Sequence, residues 1–331
     1  MTTYKEIKGT NIEVLASDPS NPVDGQVWYN STENVLKGNV GSPVAAWSTG
    51  GNLNNARTSG AGGAGTTSAA LAFSGDPRPA VGVKTESYNG TNWTEVANLN
   101  TIRSSGGSAN YGTQTAALWF SGVDVPGGTL NIKPNVESWN GTSWTEVADV
   151  NTARYYIDGA GTQTSALGFG GNNHQALTES WNNTSWTEVA DLNTGRMIGG
   201  GAGESNTSAL YFGGNIPPPA ITTAVTESWN GTSWTEVNDL NTARRFLGGS
   251  GTQTSALAYG GDVLPGETPT AVTESWNGTS WTEVNDLVTA NGQMTGNGAG
   301  KSNGNAIMFG GSNPTTTQEY QGAQTRTFTD S

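Results

Sequence analysis

Apolar side chains along this chain come in short alternating bursts rather than long runs. In Thr164-Ser165-Ala166-Leu167-Gly168-Phe169 the larger groups Leu167 and Phe169 alternate with small ones, a period of two that suits a strand packed between two other sheets. No segment sustains the 3.6-residue spacing of an amphipathic helix, and the dominant Gly, Thr, Ser and Asn are poor helix formers. Between the bursts lie turn signals. Trp139-Asn140-Gly141-Thr142-Ser143-Trp144 reads as a hairpin, because Asn-Gly readily takes the positive φ of a tight turn.

That hairpin belongs to a longer stretch, Glu137-Ser138-Trp139-Asn140-Gly141-Thr142-Ser143-Trp144-Thr145-Glu146-Val147, near copies of which recur. Aligned on the second Trp, the anchors are Trp47, Trp93, Trp144, Trp186, Trp234 and Trp281, separated by 42 to 51 residues. Such a period belongs to propeller blades or helical repeats, and the residue types exclude helices. Each unit reads as four strands. In the third, Tyr155-Tyr156-Ile157 is expected to be innermost, Ser165 to Phe169 second, Glu179-Ser180-Trp181 third and Trp186-Thr187-Glu188-Val189 outermost. Four-stranded antiparallel sheets repeated radially make a β-propeller, so the expected fold is all-β with six blades. Gly-rich segments such as Gly199-Gly200-Gly201 and Gly248-Gly249 fit near an axis, where side chains would collide.

The last unit has Gln318-Glu319-Tyr320 as its third strand and lacks a clear fourth. The strand around Trp47, with no unit before it, is expected to close the ring and remove two open edges; Thr325-Arg326-Thr327-Phe328 is the competing outer strand. Domain organisation follows, with residues 44–331 as the propeller and 1–43 as a separate module for attachment or oligomerisation. In that module Ser17-Asp18-Pro19-Ser20-Asn21-Pro22 is turn chemistry. Gln26-Val27-Trp28-Tyr29-Asn30 and Asn34-Val35-Leu36-Lys37-Gly38 read as a short β-hairpin extension.

Composition changes the picture of the core. Only 33% of the 331 residues are apolar and 48 are Gly, so a Leu/Ile/Val core is not expected. Twelve Trp replace it. Each ring can bury roughly 150–250 Å², on the order of 4–6 kcal/mol of gross transfer free energy. The net charge of −13 argues against nucleic acid, which needs a basic face. With no Cys there is no disulfide framework. The N-terminus carries no apolar signal region and no run approaches a membrane span, so neither a signal peptide nor membrane insertion is expected.

The order of features is similar to the kelch repeat: Gly-Gly closing the second strand, an aromatic in the third, a Trp about five residues later, then Arg before the next unit. The resemblance covers roughly 44–322, with departures at Ser74-Gly75 and Ser121-Gly122 in place of Gly-Gly and at Asn291 in place of the last Arg. It implies a kelch-like propeller. The hairpin Gly25-Gln26-Val27-Trp28-Tyr29-Asn30-Ser31, followed by Asn-Gly-Thr-Ser-Trp units, resembles tail-fibre and other virion proteins of marine bacteriophages. That resemblance implies a virion location and other virion proteins as partners through residues 1–43.

Candidate chemistry is sparse. Glu86, Glu137, Glu179, Glu227 and Glu274 recur, as do Arg103, Arg154, Arg196 and Arg244, and buried or half-buried Glu–Arg pairs are expected between adjacent strands or blades. Glu95, Glu146, Glu188, Glu236 and Glu283 are expected to face solvent. One His and no Cys make zinc, copper or a Ser-His-Asp arrangement implausible, calcium held by Asp or Asn in the turns is only weakly signalled because no D-x-D-x-D-G type loop occurs, and no metal or cofactor is expected. What differs between units is the link from second to third strand, and binding residues on a rigid scaffold usually sit in such loops. The expected ligand-binding residues on that loop face are Asp76, Arg78, Asp124, Lys133, Asn172, His174, Asn215, Asp262 and Glu267. The expected role is non-enzymatic binding of a host-surface glycan or protein, with a purely structural decoration or spacer protein as the alternative and a homo-oligomer compatible with either. A polysaccharide-degrading enzyme ranks below both, because no acid/base pair stands apart from the repeats.

Overall fold

The computed structural model describes residues 12–19, 26–39, 45–217, 221–294, 296, 298–322 and 325–328. Ser20, Asn21, Pro22, Pro218 and Pro219, expected in turns and links, lie outside the described residues. The chain divides into two compact units, Met1–Ala45 with Gln321–Ser331, and Ala46–Tyr320.

The first unit is one four-stranded sheet, in the order Glu13–Leu15, Val27–Asn30, Val35–Asn39, Thr325–Phe328. Its centre is the expected hairpin, with Trp28 paired to Lys37 and Tyr29 to Leu36. Two flanking strands were not expected. Glu13–Leu15 adds in parallel, and Thr325–Phe328 adds antiparallel, so the C-terminal strand belongs here and not with the repeats. This corrects the assignment of 44–331 to one domain, and it excludes 325–328 as the outer strand of the last repeat. Asp18 gathers the unit's polar contacts: it accepts from Lys37 Nζ (2.7 Å), Asn30 Nδ2 (2.9 Å) and the indole of buried Trp28 (3.1 Å). The Lys37 ammonium, seconded by Asn30, holds the Asp18 carboxyl down at about 2.

The second unit is built of six four-stranded sheets. Sheet one comprises Ala61–Thr66, Ala69–Ser74, Thr85–Tyr88 and Trp93–Glu95; sheet two Gly107–Ser108, Ala117–Phe120, Val136–Trp139 and Trp144–Val147; sheet three Asp158–Thr162, Ser165–Phe169, Thr178–Trp181 and Trp186–Glu188. Sheet four comprises Gly200–Ser205, Ser208–Phe212, Thr226–Trp229 and Trp234–Val237; sheet five Gly248–Thr252, Ser255–Tyr259, Thr273–Trp276 and Trp281–Val284. In sheet six Gly298–Ser302, Asn305–Phe309 and Thr317–Gln321 are completed by Ala46–Thr49, so the strand around Trp47 takes the outer place. The first strands touch in the order one to six, and six touches one, an arrangement consistent with a propeller.

Glycine permits that convergence. A Cβ on Gly159 would stand 2.5 Å from Ser108 O of sheet two, one on Gly201 would stand 2.6 Å from Gly159 O, and one on Gly249 would stand 2.5 Å from Gly201 O. Backbones this close leave no room for a side chain. One expectation fails here: Tyr155-Tyr156-Ile157 is not the inner strand, which begins one residue later at Asp158. Tyr156 has φ 54, a left-handed conformation that cannot pair in a ladder.

The core lies between sheets. Each outer-strand Trp packs on the last aromatic of the second strand of the preceding sheet: Trp144 on Phe73, Trp186 on Phe120, Trp234 on Phe169, Trp281 on Phe212, Trp47 on Tyr259 and Trp93 on Phe309, with centroids 4.9–5.4 Å apart. The indole N–H then donates to a buried Thr hydroxyl on the third strand of that preceding sheet: Trp47 to Thr273, Trp93 to Thr317, Trp144 to Thr85, Trp234 to Thr178 and Trp281 to Thr226. Trp186 Nε1 is buried without a partner, and the matching position in sheet two is Val136, which has no hydroxyl.

The expected Glu–Arg pairs are present and fully buried. They join residues of a single sheet: Arg103–Glu137 (2.6 Å), Arg154–Glu179 (3.0 Å), Arg196–Glu227 (2.8 Å) and Arg244–Glu274 (2.9 Å). A fifth pair not foreseen, Arg57–Glu86 (3.0 Å), occupies sheet one. Burial pushes each guanidinium below its ordinary value, and the carboxylate beside it opposes that shift. The same carboxylate accepts the backbone and side-chain N–H groups of the Asn that enters the sheet, as Glu137 does from Asn100 at 2.7 and 2.8 Å. In sheet six both charges are absent together: Asn291 stands for Arg, Gln318 for Glu, and Gln318 exchanges hydrogen bonds with Thr289. Glu95, Glu146, Glu188, Glu236 and Glu283 are exposed, as expected.

Val136→Thr should give Trp186 its missing acceptor and raise stability by about 1 kcal/mol, read as a higher urea midpoint; an unchanged or lower midpoint would mean that the indole needs no partner there. Arg244→Met, which strands a buried carboxylate, should cost about 3–5 kcal/mol. The double change Arg244→Asn with Glu274→Gln copies sheet six and should cost less than the single change in the same denaturation series.

Candidate functional site

The repeated element at the entrance to each first strand is a left-handed residue. Gly60, Ser105, Tyr156, Ile198, Phe246 and Gln293 have φ between 51 and 62, and only the first is a glycine. For a β-branched residue such as Ile198 this is costly. Backbone hydrogen bonds fix several of them to their neighbours: Ser105 N–H to Gly60 O (2.9 Å), Tyr156 N–H to Ser105 O (2.7 Å) and Phe246 N–H to Ile198 O (2.7 Å). The scaffold therefore imposes the conformation and leaves the side chain free to vary.

Four of these six residues line a cavity of about 390 Å³, together with Ser59, Met197, Asn215, Arg245 and Glu267. Tyr156 and Phe246 meet edge to face at 5.9 Å, and Tyr155 lies 4.9 Å from Tyr156. Arg245 stacks 5.6 Å above the Phe246 ring and is ion-paired with the exposed Glu267. Burial, with Tyr155 and Asp76 alongside, pushes the Tyr156 phenol up. Arg245 Nε and Asn215 Oδ1 are buried without partners. Such a cavity can stack on an apolar ring face and hydrogen-bond to its substituents. Glu267 is the carboxylate in its lining, and Arg245 already engages it. Among the described residues no three His, Asp or Glu converge as metal ligands.

The expected site residues divide. Asn215 and Glu267 line the cavity. Asp76 and Arg78 lie close to Tyr156, held by each other; Ser59 and Ser104 also donate to Asp76, and Arg78 to Val123 O. Asn172, Asn215 and Asp262 are buried, because each begins a link and bridges back to the residue after the anchor Arg: Asn172 N–H to Tyr155 O, Asn215 with Met197, Asp262 with Arg245. Asp124 turns on itself to accept from Val125 N–H. Lys133 donates its backbone N–H to Gly122 O. His174 closes a short 3-10 turn with φ 57, its Nε2 buried without a partner. These last three are not in the cavity lining. Sequence reasoning missed Tyr156, Ile198, Phe246, Arg245, Met197, Ser59 and Gln293. A signal existed: the residue two places after Arg103, Arg154, Arg196 and Arg244 is different in each unit.

Three links fold into hairpins of their own, Val123–Asp124 with Asn131–Ile132, Asn215–Ile216 with Ile221–Thr222, and Asp262–Val263 with Thr268–Pro269. Each exposes one large apolar side chain: Leu130 (59%), Ile221 (48%) and Leu264 (40%). Compared with known proteins, the chain matches no family model and no curated protein.

Gln293→Gly should raise stability by about 0.5–1 kcal/mol, because an exposed left-handed residue gives way to one that adopts φ 56 without strain. A fall in melting temperature would show that the position carries no strain.

Proposed function

We propose that the six sheets are the blades of a kelch-like propeller and that the chain is a non-enzymatic virion component of tail-fibre type. It binds a host-surface glycan or protein through the link-bearing side and meets other virion proteins through residues 1–43. The observation that carries the binding role is the cavity, because its lining comes from the position at which otherwise similar units differ. Specific recognition needs such asymmetry, and the shared motif cannot provide it. The stacked Tyr156, Phe246 and Arg245 favour a sugar ring, whose apolar face lies on aromatics while its hydroxyls bond to polar groups. The virion assignment rests on the resemblance of the N-terminal hairpin and the Asn-Gly-Thr-Ser-Trp units.

Glycan arrays and host-cell binding test this directly. The full chain should bind a restricted set of glycans, and Phe246→Ala or Tyr156→Ala should weaken binding at least tenfold, about 1.4 kcal/mol, with the melting transition retained. Binding that survives both changes would move the site elsewhere. No binding at all, with the link side covered in the assembled particle, would favour the decoration protein instead.

A further inference from the structure

The first strands hold a second departure from repetition. Gly62, Gly107, Gly200 and Gly248 pair with the last aromatic of the second strand of sheets one, two, four and five. In sheet three the residue paired with Phe169 is Asp158. Farther along, where sheets one, three and five have the left-handed Gly65, Gly161 and Gly251, sheet two has Asn110. Ser250 occupies the place that Ala64, Ala160 and Ala202 hold elsewhere. Polar side chains have therefore entered positions that the repeat gives to Gly or Ala, at the most crowded point of the unit.

Their hydrogen bonds do not account for them. Asp158 is 6% exposed; Oδ1 accepts from the N–H of Gly159 at 2.8 Å, and Oδ2 has no partner. Burial raises its pKa to about 7, against the pull of the Gly159 N–H, and among the described residues no cationic side chain opposes that rise. Asn110, also 6% exposed, reaches from sheet two to sheet four, where Nδ2 donates to Gly201 O at 2.7 Å; its Oδ1 is buried without a partner. Both side chains border Gly201, Asn110 through Nδ2 on its carbonyl and Asp158 through Oδ1, which would lie 2.9 Å from a Cβ on that residue. Tyr211 and Tyr259, both fully buried, feel the Asp158 charge. The Lys301 ammonium donates to the carbonyls of Tyr111 and Gly112, the two residues after Asn110, and bonds neither orphan oxygen. A buried carboxylate oxygen and a buried amide oxygen, neither with a donor, call for a cation or a donor, and none bonds them among the described residues.

We propose that Asp158 and Asn110 hold a hard, oxygen-preferring cation of the calcium class beside Gly201, where the first strands converge. One carboxylate, one amide oxygen and water make a donor set of low charge, which places the affinity around millimolar. The cation would tie sheets two, three and four together where their first strands converge.

The test uses the full chain after dialysis against a chelator. Calcium at several times the dissociation constant should raise the melting temperature, and terbium(III) should bind with luminescence sensitised by the surrounding Tyr and Trp. Asp158→Gly installs the residue used in the equivalent place of four other sheets, so it should fold with the same far-ultraviolet spectrum. It should lose both responses. Asn110→Gly should weaken the calcium response at least tenfold. Two results would overturn the proposal: a wild-type chain indifferent to calcium, or Asp158→Gly responding as the wild type does. Wild-type stability that rises as pH falls through 7, with no effect of calcium, would identify the partner of Asp158 Oδ2 as a proton.

Discussion

The buried carboxylate on the third strand of five of the six sheets is what the rest of the second unit depends on. In sheet two Glu137 is fully buried, accepts from Asn100 and Thr101 of the incoming link, and is paired with Arg103. Arg103 in turn donates to the carbonyls of Ser121 and Trp119 at the end of the second strand. One charge pair thus fixes where a link enters, where the second strand stops, and how the first strand is launched. Burying a carboxylate and a guanidinium is expensive unless every lone pair and N–H is used. Here nearly all are used, which makes the arrangement all-or-none. Sheet six illustrates the rule from the other side, since Asn291 and Gln318 abandon both charges at once and the exposed Val288 takes the place of the linking Asn.

Much of this was legible in the sequence. The period, the Trp anchors, the Asn-Gly hairpins and the Arg and Glu positions are carried by side chains whose chemistry has few other uses in a Gly-rich strand. What the sequence hid depends on backbone conformation or on partners distant along the chain. Tyr155-Tyr156-Ile157 looks like a strand, and only the left-handed φ of Tyr156 moves the strand start to Asp158. Arg57 was hidden because Asn55 replaces the usual Thr of its link. Thr325–Phe328 has β-strand character, but nothing local says that its partner is Val35–Asn39. Asn172, Asn215 and Asp262 seemed free to bind because link residues usually face solvent, yet each is the first link residue and is held back against its own sheet.

Repetition also separates scaffold from site. A residue that recurs in five or six equivalent places serves the sheet, as the Trp–Thr contacts and Glu–Arg pairs do. The exceptions are then informative. Tyr156, Phe246, Asp158 and Asn110 stand where the units otherwise diverge or where Gly is the norm, and all lie near the convergence of the first strands. Candidate binding thus concentrates where the ring of sheets is least symmetric.

The docking of each outer Trp on the Thr of the preceding sheet has one more consequence. Every sheet bears the same plug on one side and nearly the same socket on the other, so neighbours are interchangeable at the joint. A crossover at the same copy of the Glu-Ser-Trp-Asn-Gly-Thr-Ser-Trp coding sequence in two related chains would exchange whole links, hairpins included, while keeping six sheets and the same joints. The near-identity of the motif copies, which adds nothing to recognition, would let new combinations of links arise in a single genetic step without a stability penalty at the seams.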